Sequence, residues 1–358
     1  MFYYYFLLCL LFLNLATERS LFQSRFYTNL LLIYMTTLVI AINVTNPITT
    51  DMGRYLSYSD IIQSMSLFEA VTQTRWETGF VTFQWFLSQV SISYFFFILI
   101  STLLILLIII VALKKVISFT QLPLFIFGYL SLFSFYSLVN NVLRQGFSAA
   151  FLLLMLVFLE KNKYIRAIFS LIVALSFHMS ALIGAILIVL YKIKVPFKVY
   201  VYTYIITALT MLFNLNQRIV SLLSFSFTNT IDNYLQQYTS EASLTSYGET
   251  NRLDFLLFSL FWFFLALFFY KKFLYSDLFY LLVVKAYAVY GSIFFLFGFI
   301  SFSDRLAVYS WFLIPLVLFY PLINMQSKYR LIWLILGLAI CVLMMYVFNI
   351  NDYFAYLV

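Results

Sequence analysis

Charge is the scarcest property of this 358-residue chain, because Asp, Glu, Lys and Arg together make up only 9% of it. A typical soluble domain carries about 25% charged residues. Cysteine (2), proline (5) and glycine (9) are scarce as well. Both cysteines, Cys9 and Cys341, lie inside apolar runs, which excludes a disulfide framework and a zinc cluster. The composition therefore excludes a soluble enzyme and a nucleic-acid-binding protein.

Chemical motifs are equally few. The chain contains a single histidine, and it has neither a glycine-rich phosphate loop nor an HExxH pair. Nucleotide binding and metal-assisted hydrolysis are therefore not expected. We predict that the protein uses no metal and no cofactor.

Apolar residues dominate instead, at 65% hydrophobic and 22% aromatic, with a mean hydropathy of +1.00. One core could not hide this much apolar surface, so much of it must face lipid. The apolar runs are continuous and near the ~20 residues of a membrane-spanning helix, without the alternation of a barrel strand. We predict an all-α polytopic membrane protein with about 11–12 transmembrane helices in a single membrane domain, 1–358. The predicted spans are 1–16, 28–45, 91–113, 121–140, 145–160, 167–191, 199–215, 254–270, 278–302, 306–323 and 331–348.

The orientation of these spans follows from the basic residues, which prefer cytoplasmic loops. Two polar segments, 46–90 and 216–253, are predicted to be extracytoplasmic loops. Simple alternation then places the basic clusters in the cytoplasm, but a single crossing by 167–191 would put the two clusters that flank it on opposite sides of the membrane. A split or re-entrant hairpin resolves this conflict if 167–177 rises and 179–191 returns. The turn between the two arms would then lie within the membrane, because each arm is too short to cross it.

The only histidine, His178, lies at the tip of this predicted hairpin. An ionisable group at membrane depth is a functional hypothesis by default. Imidazole ordinarily titrates near neutral pH, so it can accept a proton from a hydroxyl nucleophile. We predict that His178 is a general base, and the alternative is a structural histidine.

The predicted topology also divides the cations by type, since the outer set contains arginine but no lysine. Guanidinium groups bind phosphate and carboxylate through two parallel hydrogen bonds, and helix N-termini also attract anions. Arg144, Arg252 and Arg305 lie at or beside the outer ends of spans, so we predict that they line one anion site. The alternatives are pairing with nearby acidic residues and anchoring at the membrane interface. The outer arginines are Arg54, Arg75, Arg144, Arg218, Arg252 and Arg305.

A specific resemblance begins at Asn140 and runs to Ile183. An N-x-x-R-Q element, an apolar helix, a basic turn and a second apolar helix ending in F-H-x-S-A-L resemble the core signature of the EpsG-type polysaccharide polymerases. These proteins are a branch of the Wzy-like O-antigen and capsule polymerases. The matching residues are Arg144, Gln145, Phe177, His178, Ser180, Ala181 and Leu182, with weaker similarity at Asp51, Tyr55, Glu77, Gly79, Phe80, Arg252 and Arg305.

The resemblance implies a multi-span glycosyltransferase of the GT-C type in the bacterial cytoplasmic membrane, with its active site facing outward. Donor and acceptor would be oligosaccharide repeat units on undecaprenyl diphosphate, and a flippase and a chain-length regulator would be partners. It implies catalytic roles for His178, Arg144 and Arg305. Together with the charge pattern it implies a substrate-binding set of Gln145, Arg252, Asp51, Tyr55, Arg54, Glu77, Arg75 and Asp304. Arg54 would replace an arginine that such proteins often carry shortly before the Asp51–Tyr55 element.

Three other functions stay open at this point. A flippase or transporter of lipid-linked oligosaccharides would need polar residues through the inner half of the membrane, where Lys285 is nearly alone. An O-antigen ligase would share the fold and the donor but use a lipid A-core acceptor. A membrane O-acyltransferase would also use an intramembrane histidine, but it would not explain six outer arginines.

Overall fold

The computed structural model describes residues 24–224, 249–325 and 330–348, and all regular structure in these ranges is helical. Short 3-10 helices at Phe119–Gln121 and Met179–Leu182 interrupt the series. The α-helices are α1 Arg25–Thr45, α2 Thr50–Ile62, α3 Leu67–Gln73, α4 Thr78–Val90, α5 Tyr94–Leu113, α6 Leu122–Leu130, α7 Phe133–Asn140, α8 Leu143–Glu160, α9 Tyr164–Phe177, α10 Ile183–Lys192, α11 Phe197–Leu212, α12 Asn216–Ser224, α13 Leu253–Phe273, α14 Leu278–Leu296, α15 Asp304–Trp311, α16 Ile314–Asn324 and α17 Arg330–Val347.

The predicted polytopic, all-helical fold is confirmed. Seven apolar stretches of the described chain are long enough to cross a membrane, and up to nine if each of two bent helix pairs is one span. Two shorter apolar helices flank His178, where one uninterrupted span would otherwise run. The course of the chain beyond this break, and hence the predicted hairpin, stays a prediction. The predicted span 1–16 lies outside the described residues.

Two predicted spans are bent rather than straight. The segment predicted as 121–140 is a pair of helices, Phe119–Leu130 and Phe133–Asn140, that meet at 89°. The segment predicted as 199–215 continues past a 111° bend into α12. In the second case Asn214 has a left-handed backbone with φ of 55°, a conformation that asparagine tolerates better than most residues.

Helices also occupy most of the segment 46–90, which connects apolar spans and is predicted to be extracytoplasmic. Helices α2, α3 and α4 fill it because the sequence supplies strong start signals. Thr49 caps α2, and Ser66 forms a capping box with Glu69 at the start of α3. The backbone N–H and the hydroxyl of Ser66 both donate to the Glu69 carboxylate, which lowers the pKa of this carboxyl.

The chain divides into two compact units, Met1–Leu182 with Leu322–Val358 and Ile183–Pro321. In the first unit α8 packs against α9 and α5, and α4 packs against the end of α9. In the second unit α11 and α15 both pack against α14. The single membrane domain expected from the sequence stays a prediction, as does the outer location of 46–90 and 216–253.

Candidate functional site

Three segments that are far apart in sequence meet at one carboxylate in the first unit. Glu77 precedes α4 and does not cap its own helix with its side chain. Its Oε2 atom instead accepts a hydrogen bond from the Arg144 guanidinium at 2.7 Å, and its Oε1 atom accepts one from the Met179 backbone N–H at 3.0 Å. Glu77 therefore ties the start of α8 to the turn that carries His178. Of the three residues predicted to be catalytic, Arg144 contacts Glu77 directly, and His178 directly precedes the residue whose backbone N–H Glu77 accepts.

The Glu77–Arg144 ion pair is largely withdrawn from solvent. The Arg144 side chain is 20% exposed and the Glu77 side chain 14%. The Nε atom of Arg144 is buried and has no hydrogen-bond partner among the described residues. A guanidinium carries five N–H donors, so the contact with Glu77 does not exhaust those of Arg144.

Aromatic side chains surround the Arg144 guanidinium. The guanidinium carbon lies 5.5 Å from the centroid of the Trp76 ring, and the Tyr55 hydroxyl forms a hydrogen bond with Arg144. Tyr55 is only 2% exposed and packs at 5.2 Å from Trp76 and 5.0 Å from Phe80, measured between ring centroids. These rings come from α2, α4 and the residue before Glu77, so the helical segment 46–90 builds one side of the site.

Helix α4 approaches the end of α9 without an intervening side chain. A Cβ atom on Gly79 would overlap the Ser176 hydroxyl oxygen and lie 2.7 Å from the Ser176 carbonyl oxygen. Near this contact Phe83, Phe147 and Phe177 form a cluster, in which the Phe147 and Phe177 rings stack at 4.7 Å. Each phenylalanine belongs to a different helix, so the cluster fixes α4, α8 and α9 relative to one another.

His178 itself ends α9 in an extended conformation with φ of −159°. Its backbone N–H donates to the Ala174 carbonyl at 3.0 Å. The side-chain Nδ1 atom lies 3.2 Å from the Ser180 backbone nitrogen and 2.6 Å from the Ser180 hydroxyl oxygen. These local contacts hold the half-buried imidazole in one orientation, and the predicted role of general base stays a prediction.

The other predicted residues of the first unit differ in exposure. Asp51 pairs with Arg54 at 3.0 Å across one helical turn, with the Arg54 side chain 68% exposed. Arg75 is exposed and forms no ion pair within the described part of the chain. Gln145 is buried in α8 next to Arg144. Their roles in substrate binding stay predictions.

Arg252, Arg305 and Asp304 belong to the second unit. Arg252 precedes α13, pairs with Asp254 and lies 3.7 Å from the centroid of the Phe255 ring, measured from its guanidinium carbon. Asp304 and Arg305 begin α15, and the Arg305 guanidinium lies over the Phe302 ring at 4.8 Å. The predicted convergence of these arginines with Arg144 stays a prediction.

Three asparagines fix the backbone that leads into Arg252. Asn251 donates from its side chain to the Asn214 amide oxygen at 2.7 Å, and Asn216 donates to the Asn251 amide oxygen at 2.7 Å. The Asn251 backbone N–H donates to the Gly298 carbonyl at 2.8 Å. This network joins the bend before α12, the start of α13 and the end of α14.

Trp76, Gly79 and Ser180 contribute to the site without a role predicted from the sequence. Gly79 and Ser180 were visible only as positions of the family resemblance, whereas Trp76 had no motif signal because tryptophan is common at membrane interfaces. Among the described residues no group of three or more His, Cys, Asp or Glu side chains is placed to hold a metal ion.

The helices and their apolar composition define a multi-pass membrane protein, in which the partly buried Glu77–Arg144 pair lies beside the turn that carries His178. The model of the EpsG family matches residues 26–357. The chain belongs to the EpsG family, which indicates a glycosyltransferase-like polymerase of the exopolysaccharide type. No curated protein and no solved structure matches the chain.

Proposed function

We propose that this protein is a polysaccharide polymerase that joins oligosaccharide repeat units carried on undecaprenyl diphosphate, at the outer face of the bacterial cytoplasmic membrane. One observation carries the proposal. The Glu77 carboxylate holds the Arg144 guanidinium and the turn bearing His178 at one place. A transfer from a sugar pyrophosphate to a sugar hydroxyl needs these two groups, a cation for the leaving group and a proton acceptor for the nucleophile.

Arg144 is the proposed binding group for the donor pyrophosphate. The leaving pyrophosphate gains negative charge as the sugar–oxygen bond breaks, and a preorganised guanidinium in a water-poor site stabilises that charge. The Glu77 carboxylate and the Trp76 ring fix the orientation of the guanidinium before substrate arrives. Metal-independent chemistry of the GT-C type is part of the proposal, with Arg252 and Arg305 as further ligands of the lipid-linked donor.

His178 is the proposed proton acceptor for the acceptor sugar hydroxyl. The electron pair of the breaking bond goes to the pyrophosphate oxygen, and the hydroxyl oxygen of the acceptor forms the new bond to the donor sugar. The remaining predicted residues, Asp51, Arg54, Tyr55, Arg75, Gln145 and Asp304, are proposed to bind the two oligosaccharides.

The test replaces Arg144 by Lys, which keeps the charge but loses the forked geometry. Purified protein in nanodiscs would receive lipid-linked repeat units extracted from cells that lack this gene. We expect Arg144→Lys to slow polymerisation by about 10²-fold, near the loss for one removed charge-stabilising donor. Arg218→Lys is the matched control, because Arg218 is exposed and belongs to none of the contacts described above. Equal rates for both variants and the wild type would contradict the proposal.

Deleting the gene separates this function from the related ones. Loss of a polymerase leaves a single repeat unit attached to its final acceptor. Loss of a flippase leaves none, and loss of a ligase leaves long chains on the carrier lipid. Only the first outcome agrees with the proposal.

A further inference from the structure

The contacts of His178 determine which ring nitrogen carries its proton. The Ser180 backbone N–H can only donate, and it points at Nδ1 from 3.2 Å. Nδ1 must therefore present its lone pair. Neutral imidazole has one protonated and one unprotonated nitrogen, so the proton of the neutral ring lies on Nε2.

This tautomer restricts where a base could act. Nε2 already carries a proton and can only donate a hydrogen bond, so the neutral ring can accept a proton only at Nδ1. The Ser180 hydroxyl oxygen lies 2.6 Å from Nδ1, near the short end of hydrogen-bond distances. Because Nδ1 is an acceptor, the Ser180 hydroxyl is the donor in this contact. The Ser180 hydroxyl is therefore in direct hydrogen-bond contact with the one ring nitrogen that can accept a proton.

We propose that Ser180 is a catalytic residue that relays the proton of the acceptor sugar hydroxyl to Nδ1 of His178. This inference rests on the proposed function. The Ser180 side chain is partly accessible, as a group that touches substrate must be. Glu77 accepts the backbone N–H of Met179, between the two residues, and so fixes the turn in which the relay lies.

The relay balances in protons and electrons. The acceptor hydroxyl gives its proton to the Ser180 oxygen while Ser180 gives its own proton to Nδ1. The protonated Nδ1 no longer accepts the Ser180 backbone N–H and instead donates to the Ser180 oxygen. The serine ends unchanged and the imidazole ends positively charged. The acceptor oxygen forms its bond to the donor sugar, and the bond from that sugar to pyrophosphate breaks with its electron pair on the pyrophosphate. The positive charge gained by His178 balances the negative charge gained by the leaving pyrophosphate.

The competing interpretation is that His178 only caps the short 3-10 helix at Met179–Leu182. A cap needs the backbone N–H contact but not the serine hydroxyl. Removing the hydroxyl while keeping the backbone therefore separates the two interpretations. Ser180→Ala does this, and Ser180→Thr keeps a hydroxyl at the same position.

The experiment combines turnover with nuclear magnetic resonance of the full-length protein in nanodiscs. Because the chain has one histidine, ¹⁵N-labelled histidine gives the two ring signals of His178 alone. We expect a protonated Nε2 and an unprotonated Nδ1 in the wild type and in Ser180→Ala, since the backbone contact survives. We expect turnover of Ser180→Ala to fall about 10²-fold, at the lower end of general acid–base effects, and Ser180→Thr to recover much of it. Ser57→Ala, on an exposed face of α2, is the control and keeps its turnover.

Three results would overturn the relay. They are a proton on Nδ1 in the neutral wild type, a changed tautomer in Ser180→Ala, and wild-type turnover in Ser180→Ala. If instead the wild type fails to polymerise lipid-linked repeat units, the proposed function fails, while the tautomer is still measured on the same sample. The two failures are therefore distinguishable.

Discussion

Glu77 is the residue whose loss should disturb the site most, because its two carboxylate oxygens accept hydrogen bonds from Arg144 and from the His178 turn. Glu77→Gln keeps the size of the side chain and an oxygen that can still accept from Met179. It removes the negative charge and leaves the Arg144 guanidinium, only 20% exposed, without its counter-charge.

The magnitude follows from the geometry of the pair. Two unit charges 2.7 Å apart attract by about 6 kcal/mol at an effective dielectric constant of about 20. Desolvation of both groups offsets much of that gain. Removing one partner of a buried pair nevertheless costs about 3–5 kcal/mol, because the other charge stays buried. The residual exposure of both side chains favours the lower limit, so we expect a loss of about 3 kcal/mol in the free energy of unfolding.

The assay is a double-mutant cycle in mixed micelles, with unfolding driven by a denaturing detergent. It compares Glu77→Gln, Arg144→Met and the double variant. We expect a coupling energy of about 2 kcal/mol between the two positions. Asp60→Asn is the control, since Asp60 is exposed on the same helical segment and should change stability by less than about 0.5 kcal/mol.

Glu77→Gln should also slow polymerisation, because a guanidinium displaced by about 1 Å loses on the order of 10²-fold in rate. A variant that keeps both the stability and the turnover of the wild type would refute the bridging role of Glu77. A variant that loses stability but keeps turnover would show that the bridge is structural and that Arg144 does not bind the donor.

Two further predictions concern packing and topology. Gly79→Ala should destabilise the protein by about 1–3 kcal/mol, because the new Cβ would overlap the end of α9. Gly53→Ala is the control in the same detergent titration. A Cβ on Gly53 has its nearest neighbour at 3.9 Å, so this variant should be neutral or slightly stabilising. The topology test places single cysteines at Lys163 and Lys194, in a background without the native cysteines. If the predicted hairpin is right, both cysteines should resist an impermeant thiol reagent applied from outside. Labelling of only one would indicate a single crossing.

The membrane-spanning helices are predictable because length and hydropathy alone decide them. Length and hydropathy do not predict the helices of 46–90, because a polar segment between apolar spans is typical of a loop. Thr49 and Ser66 are recognisable as caps, and capping predicts a polar helix outside the lipid as well as an apolar one inside it. The bend at 131–132 has no such signal, because neither proline nor glycine occupies the break.

The candidate site is predictable only in part. Arg144 and His178 stand out because charged and titratable residues are rare in an apolar chain. The bridge through Glu77 could not be foreseen, since it depends on how α4, α8 and α9 pack across 67 and 102 residues of sequence. The same holds for Gly79, whose importance comes from a neighbouring backbone that the sequence does not reveal.

The central claim, that this EpsG-family protein polymerises lipid-linked repeat units, is tested most directly by one stoichiometric measurement. Purified wild-type protein in nanodiscs receives repeat units on undecaprenyl diphosphate, and chain length and released carrier lipid are followed together. The account predicts a ladder of products with one carrier diphosphate released for each linkage formed, slowed by about 10²–10⁴-fold in His178→Ala. Carrier release without chain growth, or movement of intact repeat units across the membrane with no new linkage, would contradict it.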